Sequence, residues 1–186
     1  DGRRFVGDLA VRAAHHARER DGALGVGNDE HAGRESVVVA VERPDGTIEP
    51  KIKISENVGK ITNPHFKKLY RFYGADTGKA IADYLCLHDE IVNDGEDLEI
   101  FDPEATWKRK KVYNFHAREL QVPVFRNGEL VYQLPTLNEI RSYCREQVDT
   151  LWDEVKRFDN PHRYYVDLSQ KLYDIKQELL TKNGSH

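Results

Sequence analysis

The sequence predicts an α+β fold in which antiparallel β hairpins come first and a C-terminal helical hairpin follows. Three observations carry this reading. Apolar residues recur with a period of two between Ser36 and Leu134, the period changes to 3.6 from Thr136 onward, and turn formers punctuate the first stretch. The predicted α+β domain spans 36–186. It is set apart from residues 1–35 by composition: the first block carries Arg3, Arg4, Arg12, Arg18, Arg20 and Arg34 but no lysine, whereas lysine takes over from Lys51. Residues 1–35 are expected to be poorly packed. Leu9 to Arg20 favours helix by propensity with a thin apolar stripe, and Gly22 could end it.

The first hairpin is expected from Val37–Val41 and Ile48–Ile54 around Pro44-Asp45-Gly46. A second pair, Leu69–Tyr73 and Ala80–Leu87, flanks the turn-rich Gly74–Gly78. The third is Glu119–Phe125 with Glu129–Leu134. There Asn127-Gly128 supplies the positive φ angles of a tight turn. Asn93–Asp97 reads as an acidic surface loop, and Trp107-Lys108-Arg109-Lys110-Lys111 as a basic run beside an aromatic. The near-balanced charge favours a solvated basic edge there over a phosphate or RNA site.

Thr136-Leu137-Asn138-Glu139 has the form of a capping box, so a helix should start there. Leu137, Ile140, Cys144, Val148, Leu151, Val155 and Phe158 recur at steps of three or four, giving one apolar face through about Arg157 before Asn160-Pro161. Cys144 lies on that face and is expected to be packed. A second helix is expected from Asp167 or Ser169 to Thr181, with Leu168, Leu172, Ile175 and Leu179 in register. The two helices should pair and cover the sheet.

Composition excludes several function classes. Lys plus Arg number 28 against 32 Asp plus Glu, so no field draws the chain to nucleic acid or to an anionic membrane. No run approaches the roughly 18 apolar residues of a membrane span. The two cysteines, Cys86 and Cys144, are not spaced for metal or redox work, and a reducing, cytoplasmic home is expected. The absence of methionine points to a piece of a longer reading frame.

Candidate chemistry is sparse. His15 and His16 are adjacent, about 100° apart on a helix and ill-placed to share one ion. His65, His88, His116 and His162 fall in turns or strand ends and assemble no triad, while Asp102-Pro103-Glu104 reads as a turn. No catalytic residue and no metal ligand is assigned. Gly25-Val26-Gly27-Asn28 could cradle a phosphate or be a plain loop.

From Lys51 to its end the chain resembles the C-terminal part of bacterial nicotinate phosphoribosyltransferase. The resemblance is carried by Lys51–Asn57, Thr77–Asp83, Phe101–Lys110, Ala117–Leu120, Val122–Phe125, Glu146–Phe158, Asn160–His162 and Tyr164–Ser169. It implies a fragment of an α/β-barrel phosphoribosyltransferase of NAD salvage. Such an enzyme joins nicotinate to phosphoribosyl pyrophosphate, uses ATP and Mg, works through a phosphorylated histidine and is a homodimer. Most of the barrel precedes what this chain contains, and no counterpart of that histidine is found. No cofactor is assigned to this chain, which is expected to be inactive alone.

Arg3 to Ala10 is similar to the family's ribose-binding barrel motif at Gly7, Asp8, Leu9 and Ala10, with Phe5 and Val6 in place of its Asp and Ser. Gly25 to Asn28 is similar to its phosphate loop, with Asn28 in place of Thr. Gly7, Asp8, Gly25 and Gly27 are therefore the candidate substrate-binding residues, and 1–35 reads as a remnant of, or a divergent, barrel segment. The alternative is a non-catalytic interaction module derived from that enzyme.

Overall fold

The structure, a computed structural model, describes residues 37–183. They fall into two units, one of residues 37–66 with 172–183 and one of Lys67–Lys171. The first unit opens with the antiparallel hairpin β1 (Ala40–Glu42) and β2 (Ile48–Pro50). Gly46 turns it at φ +83°, and the Gly46 amide donates to the Arg43 carbonyl at 2.9 Å. Both strands are shorter than the sequence predicts. Pro50 has no amide hydrogen for the ladder; beyond it the Lys51 and His65 amides both donate to the Val39 carbonyl at 2.8 Å.

The second unit holds β3 (Lys67–Gly74), β4 (Ala80–Leu87), β5 (Leu98–Phe101), β6 (Arg109–Val112), β7 (Phe115–Glu119), β8 (Phe125–Arg126) and β9 (Glu129–Leu130). Helices α1 (Leu137–Asp149) and α2 (Asp153–Lys156) and strand β10 (Val166–Leu168) follow. Helix α3 (Gln170–Asn183) begins at the end of this unit's chain. The main sheet has the order β10-β4-β3-β7, with β10 parallel to β4 and the other pairs antiparallel. The architecture is mixed α+β with small sheets, as the change of period predicts.

The core follows from alternation. Tyr70 and Phe72 on β3, and Ala82, Tyr84 and Cys86 on β4, turn one parity inward, where they meet Ile100, Val112 and Phe115. Phe72 is fully buried, its ring centroid 4.8 Å from Phe115 and 5.5 Å from Tyr84. The basic run becomes β6, paired with β5. Arg109 there donates to Glu99 at 2.6 Å and lies 4.9 Å above the Phe101 ring, while Trp107 stays exposed. The third hairpin turns where expected, with φ of 50° at Asn127 and 84° at Gly128, but its strands are two residues each.

The helical region needs three corrections. The apolar periodicity predicts one helix to about Arg157, yet α1 stops at Asp149. The Asp149 carbonyl, which a longer helix would use internally, accepts from Lys79 Nζ at 2.8 Å, and the Thr150 carbonyl accepts from the Ala80 amide at 2.9 Å. Next, α1 buries none of its residues, and Cys144, expected to be packed, is an exposed free thiol. Finally, Leu168 belongs to β10 rather than to a helix, because strand β4 has a free edge that residues 166–168 complete.

Candidate functional site

Three features of the second unit combine unusual chemistry with defined geometry. The first is an ion pair within the sheet. Arg71 and Asp83 stand directly opposite each other on β3 and β4. Arg71 Nε donates to Asp83 Oδ1 at 2.7 Å and Nη2 to Oδ2 at 2.9 Å, with the side chains 19% and 10% exposed. Tyr164 completes the group: its hydroxyl donates to Asp83 Oδ1 at 3.0 Å and its ring lies 5.7 Å from the guanidinium. Burial, followed by the Asp83 charge, pushes the Tyr164 hydroxyl well above the ordinary phenol range, so it remains a donor. The Asp83 amide also donates to the Tyr165 carbonyl at 3.1 Å. The group fastens the segment entering β10 to the sheet, and its bidentate geometry commits the arginine to a carboxylate of the same chain.

The second feature is a pair of covered carboxylates, Asp167 on β10 and Asp102 just after β5, 5% and 7% exposed. Burial, and then the charge of Asp102, raises the Asp167 carboxyl to about 6, against a smaller opposing effect of Lys110. Asp102 Oδ1 accepts from the Glu104 amide at 2.9 Å, so the Asp-Pro-Glu turn read from the sequence is present, with its first residue buried. Among the described residues no group of three or more His, Cys, Asp or Glu is placed to hold a metal ion.

The third feature is an apolar arm. From Val122 through hairpin β8–β9 to the end of α1, large apolar side chains face solvent, Leu134 at 72% and Leu137 at 62%. The arm is held at its far end by polar contacts. Besides Lys79 on the Asp149 carbonyl, Trp152 Nε1 donates to the Ala80 carbonyl at 3.0 Å and the Tyr73 hydroxyl to Gln147 Oε1 at 3.2 Å. The near end is organised locally by the capping box, in which the Thr136 amide donates to Glu139 Oε2 at 2.7 Å.

The candidate substrate-binding residues Gly7, Asp8, Gly25 and Gly27 lie outside the described residues. His65, His88, His116 and His162 are not brought together into a metal group; His116 instead faces Asp94 of the acidic loop at 3.2 Å. The sequence reading passed over Arg71, Asp83 and Asp167. A signal for the first two was present: a lone acid within the apolar run Ala80–Leu87 and an arginine within the facing run Leu69–Tyr73.

Residues 66–176 match the family described as "Nicotinate phosphoribosyltransferase C-terminal domain". The chain belongs to the nicotinate phosphoribosyltransferase family. A nicotinate phosphoribosyltransferase of Bacillus subtilis (strain 168) is 39% identical over 141 residues, covering 76% of this chain and 29% of the relative. That of Caenorhabditis elegans is 36% identical over 138 residues, covering 73% of this chain and 24% of the relative. The crystal structure of human nicotinic acid phosphoribosyltransferase superposes with a TM-score of 0.56 at 26% identity, over 67% of this chain and 24% of that one. The chain thus spans less than a third of the length of the nicotinate phosphoribosyltransferases that it matches. No helix among the described residues is long and apolar enough to cross a membrane.

Proposed function

We propose that this chain is the C-terminal scaffold domain of a cytoplasmic, homodimeric nicotinate phosphoribosyltransferase. Such an enzyme joins nicotinate to phosphoribosyl pyrophosphate with release of pyrophosphate and uses ATP and Mg. In this reading the chain makes no nicotinate mononucleotide by itself. One observation carries it: the family match contains every strand of the four-stranded sheet and its whole aromatic core. Arg71, which could otherwise bind a phosphate, is occupied by Asp83. Two covered carboxylates without a third partner are a poor set for Mg, which favours octahedral oxygen ligation, so no reaction step is assigned to these residues.

A second reading, an interaction module that has left the enzyme behind, is favoured by the exposed apolar arm. An assay of nicotinate mononucleotide formation separates them. The chain alone should give none. A chimera of the Bacillus subtilis relative, with its matched stretch replaced by this chain, should be active. Turnover by the isolated chain refutes the scaffold reading, and a folded but inactive chimera favours the module.

A further inference from the structure

We infer that the arm formed by residues 122–148 is a docking surface for the part of a nicotinate phosphoribosyltransferase chain that lies outside the matched stretch. The inference builds on the family reading and names the surface and its occupant. Phe125, Leu134, Leu137, Ile140 and Val148 are all exposed: Phe125 on the hairpin, Leu134 in the link that follows it, and the other three at one-face spacing on α1. Soluble proteins rarely leave so continuous an apolar surface to water. A 13-residue helix is also marginal without packing, because propagation barely repays its nucleation. Its polar anchors lie at the C-terminal end, at Gln147, Asp149, Thr150 and Trp152, which leaves the first three turns without a buried residue. Such an arm is built to be covered.

The length of the relatives supports this choice of cover. Over 70% of the Bacillus subtilis chain lies outside the matched stretch. A surface in the same polypeptide meets the arm at the high effective concentration that linkage provides, whereas a second copy must be recruited from solution. The arm's own charges are balanced, with Arg126, Arg141 and Arg145 against Glu129, Glu139 and Glu146. No single-sign field selects a charged partner, and apolar contact is left as the attraction.

The arm carries its own reporter. Cys144 is exposed on the helix, and Cys86, the only other cysteine, is buried with its thiol pushed up to about 12 chiefly by burial. N-ethylmaleimide labelling of the full chain, read by mass spectrometry of each peptide, should modify Cys144 quickly at every protein concentration and leave Cys86 intact. In the chimera described above, modification of Cys144 should slow at least tenfold. Undiminished labelling in an active chimera overturns the docking surface and leaves the family reading in place. Protection in an inactive chimera supports docking and counts against the scaffold reading. Protection that grows with concentration in the chain alone, with a dimer's mass in sedimentation, makes a second copy the occupant and overturns the inference. Should the chimera not fold, the same labelling is applied to this chain mixed with the separately expressed remainder of the Bacillus subtilis enzyme. Protection with co-elution is expected there, and Ile140→Asp should weaken it at least tenfold without changing the melting temperature of the chain alone. Labelling at the free rate in that mixture overturns the inference.

Discussion

Replacing Asp167 by asparagine tests whether the covered edge of the sheet carries an electrostatic cost. Its carboxyl lies at about 6 in the folded chain against an ordinary 3.8. The folded state therefore holds this proton more tightly than the unfolded state does. Below about pH 3 both states are protonated and the group costs nothing; between there and pH 6 the unfolded state ionises while the folded state resists, and the lost stability is complete above pH 7. At about 1.4 kcal/mol for each tenfold change in proton affinity, the full difference corresponds to about 3 kcal/mol. The residue as a whole is nearly covered, but the surroundings of its carboxyl are those of a half-buried site, so solvent screening reduces this to roughly 1–2 kcal/mol. Against the ~5–15 kcal/mol stability of a typical domain that is a measurable share. Urea unfolding followed by tryptophan fluorescence at fixed ionic strength should show Asp167→Asn equal to wild type at pH 3 and more stable by that amount at pH 8. Asp102→Asn should lower the midpoint of the wild-type pH dependence, since it removes the second cause of the shift. An asparagine variant that is less stable at pH 8, or equally displaced at both pH values, refutes the argument.

Two further substitutions probe the sheet and the arm separately. Arg71→Leu leaves the Asp83 carboxylate covered and without its bidentate partner, so unfolding free energy should fall by about 3 kcal/mol; the Arg71→Leu, Asp83→Leu double variant should recover most of it, as measured by the same urea titration. Thr136→Ala removes the hydroxyl that accepts from the Glu139 amide and leaves the backbone half of the capping box in place, and amide exchange in the first turn of α1 should accelerate roughly fivefold, the equivalent of the ~1 kcal/mol an N-cap supplies, with the sheet amides unaffected.

What could be read from the sequence is what neighbouring residues decide among themselves. The Asn127-Gly128 turn and the Thr136–Glu139 capping box depend on contacts within four residues and stand where the letters place them. Strands β3 and β4 were legible because their alternation and the intervening turn are local as well. Strand β10 was not: its pairing joins Val166 to Asp83 across the chain, and its apolar residues fit a helical register equally well. The end of α1 was hidden for a related reason, since the carbonyls that halt it are claimed by Lys79 and Ala80, far away in sequence. The exposure of Cys144 was illegible in a different sense. Periodicity shows that a helix has an apolar face but not what covers it. The raised carboxyl of Asp167 depends first on its burial and then on the approach of Asp102, neither of which any spacing in the sequence encodes.

The register of β3 against β4 links these features to one another. A slip of one residue would turn Tyr70 and Phe72 out of the core and set an apolar side chain opposite Asp83, so aromatic burial and the Arg71–Asp83 pair enforce the same alignment. That alignment also fixes the end of the hairpin where Tyr73, Lys79 and Ala80 sit, and these residues grip the last turn of α1 and Trp152. The direction in which the apolar arm stands is thus set by an ion pair and an aromatic core that never touch its docking face. Weakening the grip should therefore change how the arm is presented before it changes whether the sheet folds, because the grip consists of a few hydrogen bonds of about 1 kcal/mol each, whereas the sheet is held by several fully buried side chains.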